Sequence, residues 1–259
     1  MTWTTRQRSE QADLSAIVAG EGQNVVLLHG VGLRAEAWNA QIDSLATGYC
    51  VTAIDLPGHG NSARLENARS VSDYVDVIRR ILPAKSLVVG HSFGAMIALE
   101  LAWRHPDNIA GVAALNAIHK RGKEAAQAVN TRAQSLNSKT NGDPEPTLRR
   151  WFGDEETPAR TACRKWLTDV DPAGYKSTYS VFAHSDGPTE AELKSICCPA
   201  LFMTGGDEPN STPAMSNSMA ALAPLGRARI VPGAAHMMPM THADAVIDAL
   251  SDLARKVFS

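Results

Sequence analysis

Leu87-Val-Val-Gly-His-Ser-Phe-Gly-Ala-Met96 is the stretch on which the reading of this chain turns. An apolar run of strand length enters Gly90-His91-Ser92-Phe93-Gly94. Residues 93–104 then continue apolar nearly all round and stop before His105-Pro106, as a buried helix would. The pattern is G-x-S-x-G between a buried strand and a buried helix. In that setting a sharp turn holds the serine in a strained backbone conformation and lifts its hydroxyl above the sheet edge. Glycines two before and two after it let strand and helix approach closely enough for the turn. The start of the helix adds partial positive charge where an oxyanion would develop. Ser92 is the candidate nucleophile.

A serine hydroxyl is a poor nucleophile without a base, and the base needs an orienting acid. Arg229-Ile-Val-Pro-Gly-Ala-Ala-His236 places His236 just after the last apolar run and before the final helix pattern. The other histidines fit less well: His29 follows an early strand, His59 sits in a turn, and His91 reads as a filler residue inside the serine turn. His105 and His119 lie at or beyond element ends, His184 falls in the middle of the chain, and His242 opens the last helix. The acid is expected after the preceding strand, in Leu201-Phe-Met-Thr-Gly-Gly-Asp-Glu-Pro-Asn210, where Asp207 and Glu208 compete. Residue type favours aspartate, the shorter and commoner orienter. Val26-Leu-Leu-His-Gly-Val-Gly-Leu33 ends a strand in a glycine-containing loop that can bend back toward the serine. The Val31 and Phe93 amides are thereby the candidate oxyanion donors.

Around these motifs, β-branched apolar runs occur at 14–18, 24–28, 49–54, 86–89, 109–115, 200–203 and 228–231, and helical spacing at 71–82, 93–104 and 243–257. Near-continuous apolar strands alternating with helices predict an α/β fold, a mostly parallel sheet covered on both faces. Residues 118–195 break this rhythm. They contain polar helix-like pieces at 120–138, 147–151, 157–166 and 174–182, and carry Trp151, Phe152, Trp166, Tyr175, Tyr179 and Phe182. We read them as a helical insertion over the sheet, apolar beneath and charged above.

Composition removes several function classes. Lys+Arg number 25 against 27 Asp+Glu, a net charge of −2, with no long basic run, so no nucleic-acid partner is expected. No apolar run approaches the roughly 18 residues of a membrane helix, and residues 1–10 lack the apolar core of a signal peptide. Cys50, Cys163, Cys197 and Cys198 form no C-x-x-C pair and read as free thiols, which places the chain in a reducing cytoplasm.

These motifs together resemble the α/β-hydrolase superfamily along almost the whole chain, with Asp55-Leu-Pro-Gly-His-Gly-Asn-Ser62 as a further family-like loop. The chain is most similar to the 3-oxoadipate enol-lactonase and small-ester hydrolase group, through Trp151-Phe152, Asp171-Pro-Ala-Gly-Tyr175 and Pro209-Asn-Ser-Thr-Pro213. The resemblance implies an α/β-hydrolase fold with an eight-stranded sheet. It divides the chain into a core of residues 1–117 and 196–259 and a helical cap of 118–195 inserted after the sixth strand. It also implies Ser92 as nucleophile, His236 as base, and Val31 and Phe93 as oxyanion donors. Counting from Gly205 with Pro209 in place, the family's acid position is Glu208, against the aspartate that residue type prefers. His29, Gly30, Trp151, Phe152, Tyr179 and Met237 are the expected pocket residues, with Met238 beside them. Arg149, Arg150 and Arg164 are candidates for a substrate carboxylate, set against a reading as solvated surface charge. No cofactor and no metal are expected, and the partner is a small ester or lactone. A monomer and a homodimer are both left open. A C–C bond hydrolase or a cofactor-free perhydrolase would use the same residues. A non-catalytic binding protein is the remote alternative, and an Asp-nucleophile dehalogenase or epoxide hydrolase is disfavoured by serine at 92.

Overall fold

The structure is a computed structural model that describes residues 3–259. The signal-peptide reading extends over Met1 and Thr2, which lie outside the described residues. One sheet organises the chain, in the order β1-β2-β4-β3-β5-β6-β7-β8. Its strands are β1 (Ser9–Gln11), β2 (Leu14–Ala19), β3 (Gln23–Leu28), β4 (Tyr49–Ile54), β5 (Ser86–His91), β6 (Ile109–Leu115), β7 (Ala200–Gly205) and β8 (Gly226–Val231). β1 pairs antiparallel with β2, and β2 antiparallel with β4; every later pairing is parallel.

Strand periodicity divides the apolar residues between two faces. Val26, Leu28, Val88, Val112, Ala114 and Phe202 face a cluster built with Tyr74 and Ile78 of α2 (Val71–Arg79), Met96 of α3 (Phe93–Arg104) and Met219 of α9 (Pro213–Leu222). The alternate residues Val25, Leu27, Leu87, Val89, Ala113 and Met203 pack under Ile42 of α1 (Asn39–Leu45) and Val246 and Leu250 of α10 (Ala243–Phe258). Both faces are covered, so the central strands read as continuous apolar runs rather than alternating ones. Parallel pairing in turn brings the C-terminal ends of β3, β5, β6, β7 and β8 to one edge, where their loops meet.

Between β6 and β7 the chain is helical: α4 (Lys123–Ser135), α5 (Glu145–Phe152), α6 (Pro158–Asp169), α7 (Pro172–Ala183) and α8 (Glu190–Lys194). Thr157 and Asp171 cap α6 and α7 through their side chains, each with proline as the first helical residue. Trp151, Cys163, Trp166, Tyr175 and Tyr179 form a third apolar cluster with Leu33, Met237 and Met240 from the strand-end loops. These helices are thus fastened onto the sheet edge by burial. Among the elements that lacked a pattern to read, β1 is three residues long, α8 five, and α1 is short and half polar, while α9 has small and polar residues in its first two turns. Thr212-Pro213, a capping threonine followed by proline, was the available signal for α9. All four cysteines are free, and among the described residues no helix is long and apolar enough to cross a membrane.

Phe202 is fully buried and Val18 is 44 % exposed. Phe202→Ala is expected to lower unfolding free energy by about 3–5 kcal/mol, and Val18→Ala by about 0.5 kcal/mol or less. Denaturant titration of the two variants checks the contrast.

Candidate active site

The strand–turn–helix at 87–96 folds as a sharp elbow. Ser92 joins β5 directly to α3 with φ 56° and ψ −117°, a conformation that costs a non-glycine residue on the order of 1–3 kcal/mol. Its amide donates to the Leu115 carbonyl at the end of β6 over 2.8 Å. The flanking glycines are required by contact. A Cβ on Gly90 would run into the Gly94 carbonyl, and one on Gly94 into the carbonyls of Leu28 and His29. The start of α3 therefore lies against the end of β3, which places Ser92 beside the loop that follows β3. A Cβ on Gly30 would stand only 3.1 Å from the Ser92 Cβ.

That loop is pinned from behind by two fully buried histidines. His29 Nδ1–H donates to the Gly30 carbonyl at 2.8 Å, while its Nε2 accepts the Leu56 amide at 2.9 Å. His59 Nδ1–H donates to the Pro57 carbonyl, and its Nε2 accepts the Gly32 amide at 3.0 Å. Both rings act as donor and acceptor at once, so both are neutral. Burial pushes the His59 pKa down to about 4 and that of His29 well below the ordinary histidine value. Asp55, also fully buried, accepts from the amides of Ala35 (2.8 Å) and Asn61 (3.0 Å) and pairs with Arg8 at 3.0 Å. The segment 55–62 is thus a brace for the loop carrying Val31. Phe93 is the first residue of α3, so its amide has no carbonyl four residues back within the helix to donate to.

His236 follows β8, and its Nδ1 lies 3.0 Å from Glu208 Oε2. The other Glu208 oxygen accepts the Asn210 and Ser211 amides at 2.7 and 3.2 Å. Burial opposes ionisation of Glu208, but the bond to His236 and the two amides outweigh it and hold its pKa down at about 2. Asp207 is exposed, and its amide donates to the Ala234 carbonyl. The acid paired with the histidine is Glu208, which residue type disfavoured. His91 is more than filler: its Nε2–H donates to the His236 carbonyl at 2.8 Å, and burial next to His236 pushes its pKa to about 3. Trp151 of α5 stacks on the His236 ring, with centroids 5.6 Å apart and planes at 18°.

Ser92 and His236 share one cavity of about 100 Å³ with Gly30, Val31, Trp151 and Tyr179. Three expected pocket residues lie elsewhere. His29 is fully buried behind the loop, because its ring is consumed in holding backbone. Phe152, one helical step of about 100° beyond Trp151, faces a separate groove with Trp3, Pro158 and His242. Met237 is 1 % exposed inside the third apolar cluster, and Met238 is packed below the sheet edge. Of the arginines considered, Arg149 pairs with Asp154 at 2.9 Å and Arg164 with Glu145 and Glu156, whereas Arg150 reaches the cavity. Arg121, Asn116, Tyr175, Asn210 and Ser211 also line it. Among the described residues no group of three or more His, Cys, Asp or Glu side chains could hold a metal ion.

A family model described as "Alpha/beta hydrolase family" matches residues 25–249. The chain is 36 % identical over 252 residues to the (E)-2-((N-methylformamido)methylene)succinate hydrolase of Acinetobacter baylyi, covering 95 % of each chain. Among solved structures it resembles the enol-lactonase from Burkholderia xenovorans, with a TM-score of 0.83, 24 % identity and coverage of 96 % of this chain and 100 % of the other. A thermophilic esterase from Thermogutta terrifontis gives a TM-score of 0.85 at 22 % identity, covering 98 % and 100 %. The chain belongs to the alpha/beta hydrolase family.

Because the folded-state pKa of Glu208 is depressed to about 2 from an ordinary value of about 4.3, its contribution to stability is present above the ordinary value and fades as pH falls toward 2. The stability gap between wild type and Glu208→Gln should narrow as pH falls from 5 to 3. Denaturant unfolding across that range checks it; a gap independent of pH would contradict the ionised pairing.

Proposed function

We propose that the protein is a serine hydrolase that cleaves an acyl bond (carboxylic ester, lactone or enol-lactone) of a small molecule. The observation that carries this reading is the His236 Nδ1–Glu208 contact at 3.0 Å on the cavity that also receives the strained Ser92. In the proposed reaction His236 Nε2 takes the Ser92 hydroxyl proton as Oγ attacks the carbonyl carbon. The tetrahedral oxyanion is held by the Val31 and Phe93 amides. His236 returns the proton to the leaving oxygen, the carbonyl–oxygen bond breaks, and an acyl-Ser92 ester remains. Water, deprotonated by His236, attacks that ester; the second tetrahedral intermediate collapses to a carboxylic acid and free Ser92. Glu208 stays ionised throughout, fixing the histidine tautomer with Nδ1 protonated and Nε2 free.

A second reading is favoured by the likeness over 95 % of both chains to the Acinetobacter baylyi enzyme, whose name specifies hydrolysis of a formamido-methylene succinate. In it the scissile bond is an N-acyl bond, and His236 delivers its proton to nitrogen. The residue roles are otherwise unchanged.

A fluorophosphonate probe is expected to label wild type and not Ser92→Ala; a folded sample that takes no label removes the proposal. On a panel of lactones, aryl esters, N-acyl enamines and dienoate diketones, turnover of the diketones alone would reassign the chain to C–C cleavage. Glu208→Gln is expected to lower kcat/KM about 10³–10⁴-fold, and Asp207→Asn to change it less than threefold.

A further inference from the structure

The polar lining of the cavity is lopsided. Two arginines, Arg121 and Arg150, line it, and no aspartate or glutamate does. Arg150 is exposed at the rim, but Arg121 is 8 % exposed, with only 2 % of its side chain open to solvent. A buried guanidinium ordinarily has its N–H groups paired. Here Nη1 donates to the Ala183 carbonyl at 3.3 Å and lies 3.7 Å from Asp186, a carboxylate that is itself largely in solvent. Nη2 is buried without any partner. The guanidinium is fixed in place, its carbon 4.9 Å from the Phe182 ring centroid.

The surroundings repeat the deficit. Thr147, from α5, is 2 % exposed, lines the same cavity and has an unpartnered hydroxyl. Tyr175, from α7, also lines it; its hydroxyl oxygen accepts Arg132 Nη2 at 3.1 Å, which leaves the hydroxyl proton free to be donated onward. Arg132 sits over the Tyr179 ring at 5.2 Å and adds positive potential behind that wall. A wall that offers a preorganised cation and two hydroxyl donors, with no acidic residue of its own, is complementary to an anion. Burial, opposed by Asp186 and Tyr179, lowers the Arg121 pKa, the direction for a cation lacking its full counter-charge.

We infer that the substrate is an acyl compound bearing a carboxylate away from the scissile carbonyl, and that Arg121 is the residue that seats this carboxylate, assisted by Thr147 and Tyr175. The inference rests on the hydrolase reading for the identity of the scissile end. A fixed guanidinium whose Nη2 lacks a partner can donate to a carboxylate oxygen, and Ser92 lies on the same cavity to receive the other end of a short chain.

The test compares 4-nitrophenyl hemiglutarate with its methyl ester, in which the distal carboxylate is masked by one methyl group, after subtraction of the spontaneous rate. Wild type is expected to favour the anion by at least tenfold in kcat/KM. In Arg121→Met, which keeps the packing against Phe182, that ratio should fall about 10–100-fold, mainly through KM. Arg121→Lys should retain part of it, and Thr147→Val should lower it less. A wild-type ratio near one, or a ratio unmoved in Arg121→Met, overturns the proposal even where both esters are hydrolysed. Should neither ester turn over, calorimetric binding of glutarate to the Ser92→Ala protein decides. Binding weakened at least tenfold by adding Arg121→Met supports the seat; equal or absent binding overturns it. Fluorophosphonate labelling of Ser92 reports separately on the hydrolase reading, so the two can fail independently.

Discussion

The close approach of α3 to the end of β3 is the constraint on which the rest of the site depends. Gly94 lies against the carbonyls of Leu28 and His29, and Gly90 against the Gly94 carbonyl. Neither position has room for a methyl group. That approach leaves one residue to turn the chain between strand and helix, and Ser92 takes a positive φ to do so. The strain is carried by a bond from its amide to Leu115 and by two covered sheet faces, a packed surround that over-determines the conformation. The same approach brings the β3 loop beside the serine, so Ser92 and the Val31 amide are placed by one packing event.

Buried neutral histidines complete the scaffold. His29 and His59 hold the β3 loop through its own amides and carbonyls, and His91 holds the backbone of His236. His29 and His59 each donate from one nitrogen and accept a backbone amide at the other, which only the neutral ring can do, and burial lowers the pKa of all three rings. Histidine suits this task because it can bridge two backbone segments that no strand or helix connects. The proposed base is distinguished from them by its partner: His236 alone faces a carboxylate, and that carboxylate is held ionised by amides as well as by the ring.

The elbow, the late histidine and the β3 loop were legible because each is a local pattern whose meaning comes from the strand or helix immediately beside it. The parallel sheet was legible for the same reason. What was hidden depends on contacts distant in sequence. His91 and His236 are 145 residues apart, and nothing around His91 distinguishes a backbone pin from a filler. Phe152 was read with Trp151, yet one helical step sends adjacent residues to different walls. Asp207 and Glu208 differ in which of them turns inward after β7, which residue type does not encode; the position before Pro209 does. Met237 was drawn to the pocket by its neighbour, while the short turn at Met238–Thr241 buries it beneath the helices. Arg121 sits in Lys120-Arg121-Gly-Lys123, a run that reads as solvated charge, and only the exit path of the chain from β6 carries it inside.

The division of labour between the two halves of the site follows from how each is held. Sheet-end loops are fixed by parallel pairing and by backbone hydrogen bonds, so the groups they carry differ little with small changes in surface sequence. The helices between β6 and β7 are fastened mainly by apolar burial, through Trp151, Trp166, Tyr175 and Tyr179 on Leu33, Met237 and Met240. Burial is not directional, and it tolerates changes of the polar residues between the apolar anchors. Arg121, Thr147 and Arg150 stand among those anchors, where their exchange would alter the charge of the cavity without moving Ser92, His236 or Glu208. A scaffold of this kind can keep the proposed acyl-transfer chemistry and vary what it is applied to. Trp151 is the point where the halves meet, because it belongs to the helical cluster and stacks on His236; the seating of α5 is thereby coupled to the orientation of the proposed base.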